Sequence, residues 1–223
     1  MCIVRFFEQA AIIVHMPHEL LALFPLQAVL FPRTALPLHI FEDRYKEMMQ
    51  EVLRGSREFG VVQAGEKGIV DTGCTAVIER VLKEYPDGRM DLLTVGRRRF
   101  EILRLNDERP FLRSAVDFFD DEDSFPAPEE IQRRVLERFE ELRGFANETG
   151  AEPELDDPQL SFQIAQLVPD LEFRQQMLAT RSEADRMEQL AEYLESYIPK
   201  QRQTMQARAA APRNGHSKWP PGM

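Results

Sequence analysis

The feature that most constrains the fold of this chain is an apolar run near its amino end that is interrupted by prolines. Pro25, Pro32 and Pro37 lie there among leucine, phenylalanine, valine and isoleucine residues. Proline has no amide hydrogen and a fixed φ, so within a sheet it is confined to an edge, a bulge or a strand end. We therefore predict strands at residues 22–31 and 35–40 that do not lie in the centre of a plain sheet.

The spacing of apolar residues changes directly after this run. From Phe41 onward, apolar residues recur at intervals of three and four positions, at Tyr45, Met48, Met49, Val52 and Leu53. This period places them on one face and predicts an amphipathic helix over residues 41–54. Gly55 stands where a left-handed cap would end that helix.

Further along the chain, segments rich in β-branched and aromatic residues alternate with turn signals. They predict five more strands, at residues 58–64, 74–85, 89–95, 100–105 and 111–119. Pro86-Asp87-Gly88 predicts a tight turn, because proline presets the first corner and glycine tolerates positive φ at the last. Many strands at short spacing favour a barrel or a sandwich.

The composition changes at an acidic run, Asp120 to Asp123, which we interpret as a solvated linker rather than a cation site. Beyond it, apolar residues at helical spacing predict a bundle of helices. The expected organisation is an N-terminal extension at 1–17, a β-rich subdomain at 18–120, a helical subdomain at 127–199 and a disordered tail at 200–223. For the extension, two interpretations stay open: a native segment, or translation from an upstream start codon.

The charge and cysteine content narrow the class of protein. The formal net charge of −10 opposes long-range attraction to nucleic acid, and 43% hydrophobic residues suit a globular protein with a core. Two cysteines, Cys2 and Cys74, are typical of a reducing compartment without structural disulfides. No segment is long and apolar enough for a membrane span. We predict a cytoplasmic protein without membrane contact.

The sequence predicts no enzyme. The glycine pattern of a phosphate loop and the serine elbow of a hydrolase are both missing from the sequence. Cys74 could act as a thiol nucleophile with His39 as its base, but an inert buried thiol is the favoured interpretation. Pro17 separates His15 from His18 and breaks the helical geometry that a metal site there would need. We therefore predict no catalytic residue, no metal and no cofactor.

Three landmarks carry a resemblance to a known family. The first runs through Phe24-Pro25-Leu26, Phe31-Pro32 and Leu38-His39-Ile40-Phe41-Glu42-Asp43-Arg44-Tyr45. The others are the turn at Pro86-Asp87-Gly88 and the segment Gly96-Arg97-Arg98-Arg99-Phe100-Glu101-Ile102. In order and spacing they resemble the amino-terminal, substrate-binding domain of the Lon protease family over residues 19–199.

This resemblance implies an α+β fold: a β-barrel of the PUA-like type, related to pseudouridine-synthase-associated domains, followed by a C-terminal helical bundle. It also implies a stand-alone, noncatalytic module that binds exposed or unfolded polypeptide segments, with an adaptor role in proteolysis or quality control. In the family, ATP hydrolysis and peptide cleavage belong to other domains. Polypeptides and partner proteins are the expected ligands, and self-association is a further expectation.

A receptor for unfolded polypeptide needs an apolar groove or a sheet edge that accepts a strand. The proline-edged segment suggests a peptide-binding site, with candidate residues Phe31, Pro32, Arg33, Phe41, Arg44, Tyr45 and Arg99. The structural alternative is that the aromatic residues are core and that Glu42 pairs with a neighbouring arginine.

The functional alternative is a PUA-like module that binds RNA through the three consecutive arginines Arg97, Arg98 and Arg99. On a regular strand Arg97 and Arg99 would share one face while Arg98 takes the other, which dilutes a phosphate-binding stripe.

Overall fold

The computed structural model describes residues 20–65, 68–123, 125–146 and 152–210. Within them, six strands form one mixed sheet: β1 Leu21–Leu26, β2 Ala35–Ile40, β3 Glu58–Gly65, β4 Gly68–Glu84, β5 Met90–Asn106 and β6 Arg113–Phe119. The strand order is β2-β5-β4-β3-β1-β6, and β5 also pairs with β6. Five strands therefore close into a ring, and β2 is attached to β5 outside it. The pairing of β1 with β3 is parallel, whereas the others are antiparallel.

The strand β5 is continuous where the sequence predicted two strands. Its first half pairs with β2 and its second half with β6. The expected break at residues 96–99 is a β-bulge instead, since Arg97 and Arg98 together lie opposite Thr75 of β4. A bulge adds one residue and local twist without ending the strand.

The predicted tight turn between β4 and β5 is confirmed. Gly88 has a φ of 84°, and its amide donates to the Tyr85 carbonyl at 2.9 Å. Tyr85 in turn donates to the Arg89 carbonyl at 2.9 Å, which closes the hairpin. The glycine is required at this corner because a side chain strains a backbone of positive φ.

The described residues also form five helices: α1 Asp43–Arg54, α2 Glu129–Ala146, α3 Leu160–Ala165, α4 Leu171–Ala179 and α5 Glu183–Ala210. The buried face of α1 consists of Tyr45, Met48, Met49 and Val52, as the period predicted. The predicted left-handed cap at Gly55 is wrong, because its φ is −104°. Arg57 adopts the left-handed conformation instead, and its amide donates to the Val52 carbonyl at 2.9 Å.

The helix α5 continues past residue 199, where the sequence predicted that a disordered tail begins. Pro199 lies inside the helix. It removes one backbone hydrogen bond, but Ile198 before it is fully buried, and Arg202 beyond it donates to Glu141 of α2 at 2.7 and 2.5 Å. These contacts hold the helix on both sides of the proline. The predicted extension at 1–17 and the tail beyond residue 210 lie outside the described residues.

The α+β prediction is confirmed: apart from α1, which lies between β2 and β3, the strands precede the helices. The larger hydrophobic cluster contains residues of both parts. Phe31, in the connection from β1 to β2, stacks on Phe162 of α3 with ring centroids 5.0 Å apart. Within the described residues, no helix combines the length and apolar composition that crossing a membrane requires.

Candidate functional site

The two sides of strand β2 differ in their pairing. It bonds to β5 alone, and its other edge has no strand partner among the residues that the structure describes. Pro37 lies opposite Leu93 of β5. Because proline has no amide hydrogen, residue 37 occupies a position of the antiparallel ladder whose backbone groups point away from β5.

Alternation along the strand gives the backbone groups of Ala35 and His39 the same outward direction. The intervening Leu36 faces the other way, and its carbonyl accepts a hydrogen bond from the Thr94 hydroxyl of β5 at 2.7 Å. We call the outward backbone groups of residues 35, 37 and 39 the open edge of β2. Pro37 supplies only a carbonyl to this edge, whereas the other two residues supply an amide and a carbonyl each.

A close backbone contact fixes the start of β2. A Cβ at Gly96 of β5 would lie 2.0 Å from the Phe31 carbonyl oxygen, so only glycine fits there. The approach lets Arg33 donate its amide to the Gly96 carbonyl at 2.7 Å, and Gly96 donates to the Thr34 carbonyl at 2.9 Å. Arg33 has a φ of 63°, the left-handed region that non-glycine residues rarely adopt. This backbone turn leads the chain from the ring onto the outer strand.

A cavity of about 530 Å³ lies beside this start, between β2, α2 and α3. Its wall includes Thr34 and Ala35, so it adjoins the open edge. On the far side, Asp157 is buried and accepts hydrogen bonds from the guanidinium of Arg33 and the amide of Gln163. These polar contacts thus tie the strand side of the cavity to its helical side.

The other end of β2 carries an aromatic and charged cluster. His39 Nδ1 lies 2.6 Å from Asp91 Oδ1 of β5, and the Tyr85 hydroxyl donates to Asp91 Oδ2 at 2.9 Å. These two hydrogen bonds, from His39 and then from Tyr85, lower the pKa of the Asp91 carboxyl. The His39 ring stacks on Phe41 with centroids 6.0 Å apart, and Phe41 is 60% exposed. Phe41 therefore presents an apolar surface next to the open edge.

The seven predicted peptide-binding residues do not form one exposed wall. Four of them are buried: Phe31, Pro32, Tyr45 and Arg99. The structural alternative placed the aromatic residues in the core, which agrees with the burial of Phe31 and Tyr45 but not with the exposure of Phe41. Arg33, Phe41 and Arg44 are exposed, and they lie just before and just after β2. Glu42 accepts from Arg44 at 2.9 Å, in agreement with the predicted pairing to a neighbouring arginine.

The arginine Arg99 belongs to a buried ionic cluster instead of a groove rim. Its Nη2 donates to Asp121 Oδ1 at 2.5 Å, and Arg186 of α5 binds both oxygens of the same carboxylate at 2.6 and 2.7 Å. Arg186 also contacts Glu183 at 2.7 Å, and Glu183 accepts from the Ser161 hydroxyl of α3 at 2.7 Å. We call these five residues the Asp121 cluster. It joins the ring to α3 and α5.

The predicted solvated linker is therefore wrong at Asp121, whose side chain is only 14% exposed. Burial alone would raise the pKa of Asp121, but hydrogen bonds and charge from Arg186, and then from Arg99, outweigh it and lower the pKa. The sequence held no signal for this role. The residues next to Asp121 are also acidic, so nothing local distinguishes it. Its two partners are distant in the sequence: Arg99 lies 22 residues before it and Arg186 lies 65 residues after it.

The prediction for Arg97 and Arg98 was also wrong in geometry. Both side chains are exposed and both bind the carboxylate of Glu58, at 3.2 and 3.1 Å. The bulge opposite Thr75 breaks the alternation of the strand, so the two neighbours reach the same partner. With Arg99 buried, the three arginines do not form a free basic face, and RNA binding stays an untested prediction.

The proposed pairing of Cys74 with His39 does not occur in this fold. Cys74 lies opposite Arg99 and His39 lies opposite Asp91, which places them eight residues apart along β5. Cys74 is fully buried, and burial raises the pKa of its thiol to about 12. Its side chain therefore behaves as a small core group. Sequence reasoning missed Tyr85 and Asp91, which only the strand register brings to His39.

Comparisons with known proteins agree with this architecture. The structure is similar to the crystal structure of a Lon N-terminal domain protein from Xanthomonas campestris, with a TM-score of 0.64 and 24% identity over 77% of this chain and 96% of that chain. It is also similar to the N-terminal domain of the Mycobacterium avium complex Lon protease, with a TM-score of 0.60 and 15% identity over 80% of this chain and all of that one.

Among curated relatives, the Lon protease of Parabacteroides distasonis is 34% identical over 101 residues, which are 42% of this chain and 12% of that protein. Lon protease 1 of Hydrogenovibrio crunogenus is 25% identical over 186 residues, which are 76% of this chain and 23% of that protein. The chain thus matches less than a quarter of the length of either relative. The family model described as the ATP-dependent protease La (LON) substrate-binding domain matches residues 20–196. Since this match covers most of the sequence, the chain belongs to the LON substrate-binding domain family.

Proposed function

We propose that this chain is a noncatalytic module that binds extended segments of polypeptide, which add as a strand to the open edge of β2. In this role it serves as an adaptor in proteolysis or protein quality control. The observation that carries the proposal is the edge of β2, which has no strand partner in the described part of the chain and lies between two exposed predicted site residues, Arg33 at its start and Phe41 at its end.

Strand addition suits a ligand that is defined by being unfolded. Main-chain hydrogen bonds supply affinity without reading side chains, and pockets beside the edge add selectivity. The outward amides of Ala35 and His39 and the outward carbonyls of residues 35, 37 and 39 are groups that an extended peptide can satisfy. Such a site accepts many sequences, provided that the segment is extended and its backbone is free.

Side-chain contacts next to the edge support the same ligand. Phe41, stacked on His39, offers an apolar surface for one side chain of the peptide. The family is described by its binding of substrate, and the curated relatives are named Lon proteases, whose substrates are polypeptides. These names support a polypeptide ligand for this chain, although it matches only a part of each protease.

The proposal is tested with three eight-residue peptides of alternating valine and threonine, acetylated and amidated at their ends. One peptide is unmodified, one is N-methylated at every second residue, and one at every residue. The first two keep at least one bonding edge and should bind with similar affinity. The third has no amide hydrogen at any of its eight residues and should lose binding, because a strand cannot form without amide donors along the backbone.

Titrations followed by fluorescence anisotropy measure these affinities, and amide hydrogen exchange locates the site. Binding of the unmodified peptide should slow exchange at the amides of Ala35 and His39. Affinity should depend only weakly on salt, because few charges are involved. Equal binding of the fully methylated peptide would show that the edge is not used, and no binding by any peptide would refute the proposed function.

A further inference from the structure

We infer that the cavity at the start of β2 receives a lysine or arginine side chain of the bound polypeptide. This inference rests on the proposed function, since strand addition to β2 is what brings a peptide to the cavity. It adds a preference for basic residues to a site whose backbone contacts do not select any side chain.

The ionic groups of the cavity wall leave negative charge without a partner. The guanidinium of Arg33 is bound by Asp157, and that of Arg143 lies 2.6 Å from Glu140. Glu152 and Glu154 also line the cavity, and neither forms an ion pair within the part of the chain that the structure describes. Residues 147–151, which precede them, include no lysine or arginine. A cationic ligand would neutralise the two remaining carboxylates.

The cavity wall also has an apolar part that suits the stem of a long basic side chain. Phe139 of α2 and Leu167, just after α3, line the same space as the two glutamates. Lysine and arginine bury their methylene stems on apolar surface while the charged head stays among polar groups. A volume of about 530 Å³ is ample for one such side chain.

The segment that carries the glutamates is held in place by its own hydrogen bonds. The Glu154 amide donates to the side-chain carbonyl of Gln163 at 2.9 Å, and the Asp157 amide donates to the Glu154 carbonyl at 2.9 Å. Because Asp157 also accepts from Arg33, this segment is tied both to α3 and to the start of β2. The carboxylate of Glu154 is therefore attached to a backbone that does not need to be ordered by the ligand.

The path from the edge to the cavity is short. Ala35 is the first residue of the open edge and also lines the cavity, together with Thr34. A peptide paired with Ala35 therefore directs its next residues to the cavity mouth. In antiparallel addition these are the carboxyl-terminal residues of the peptide, and in parallel addition the amino-terminal ones.

The test uses the blocked valine and threonine peptide with one added residue at either end, which is lysine, norleucine or glutamate. Titrations are carried out on the wild-type chain and on the double variant Glu152→Gln, Glu154→Gln. The double variant Glu188→Gln, Glu192→Gln, which alters two exposed glutamates of α5, makes the same change in net charge and serves as the control.

The wild-type chain and the control should bind the lysine peptide about fivefold more tightly than the norleucine peptide. This is the difference in affinity that two partly exposed ion pairs supply. The glutamate peptide should be the weakest. In the Glu152→Gln, Glu154→Gln variant, lysine and norleucine peptides should bind equally. Peptides that bind without this preference, or a preference that survives in the variant, would overturn the cavity inference alone. A failure of every peptide to bind would overturn the proposed function and the inference together.

Discussion

The Asp121 cluster and the open edge of β2 are both built from polar groups, but they differ in how those groups are satisfied. In the cluster, the Asp121 carboxylate accepts from Arg99 and Arg186 inside the protein, where the two guanidiniums are at most 1% exposed. At the edge, the backbone groups of residues 35, 37 and 39 have no strand partner within the described ranges. One region is closed by the chain itself, and the other is left for water or a ligand.

This difference separates stability from binding. A buried charge without its partner is costly, so the cluster tolerates little change. An exposed edge costs the folded chain little, but it can pair with another strand, including that of a second copy. Pro37 limits this by removing one donor from the edge.

Replacing Asp121 with alanine should lower the free energy of unfolding by about 3 to 5 kcal/mol, because two buried guanidiniums lose their shared carboxylate. Urea denaturation followed by circular dichroism measures this change. The matched control is Asp120→Ala, an exposed neighbour, which should change stability by less than about 0.5 kcal/mol. Equal losses in the two variants would mean that the cluster does not hold the ring to the helices.

Acidification should destabilise the wild-type chain through the same carboxylate. The pKa of Asp121 is lowered in the folded protein, so its stabilising effect is complete above the ordinary aspartate pKa of about 3.9 and is lost as the pH falls through the folded value. The contribution of Glu183 to the pH dependence of stability has the opposite sign, because burial raises the pKa of Glu183 in the folded state.

Unfolding free energies measured between pH 6 and pH 3 isolate the contribution of Asp121 when the wild type is compared with Asp121→Asn. The variant is less stable throughout, but its stability should decline less steeply with falling pH, because residue 121 no longer titrates. Parallel curves for the two proteins would contradict a lowered pKa at Asp121.

Replacing Pro37 with valine should strengthen peptide binding by about twofold to thirteenfold, since the open edge gains one amide donor worth about 0.5 to 1.5 kcal/mol. Self-association should rise as well, because the edge loses its protecting proline. Anisotropy titrations and analytical ultracentrifugation measure the two effects. Pro110→Val, at an exposed proline between β5 and β6, is the control and should change neither. An unchanged affinity in Pro37→Val would argue against strand addition at this edge.

Local patterns predicted most elements of the fold. The period of Tyr45, Met48, Met49 and Val52 predicted the buried face of α1, and Pro86-Asp87-Gly88 predicted the hairpin turn. Both features depend on neighbours within a few residues, so the local sequence is sufficient to determine them. Pro37 likewise indicated an edge strand and lies in one, whereas Pro25 lies in β1, which pairs with β3 and β6 within the ring.

The candidate site was predicted only in part, because exposure depends on which elements pack together. Phe31 and Phe41 carry the same side chain, yet one stacks on α3 inside the protein and the other is 60% exposed. Arg99 and Arg98 are neighbours, and a bulge sends one to Asp121 and the other to Glu58. Neither difference has a signal in the residues nearby.

The amino-acid sequence alone determined most of the strands, the hairpin turn at residues 86–88, the buried face of α1 and the absence of a donor at Pro37, since backbone sterics and hydrophobic periodicity act over short distances. Only the tertiary structure decided that Asp121 neutralises two buried arginines, that five strands close into a ring, and that β2 remains outside it with an open edge. These outcomes depend on contacts between residues far apart in the chain, where packing and the desolvation of charge, not local preference, select the arrangement.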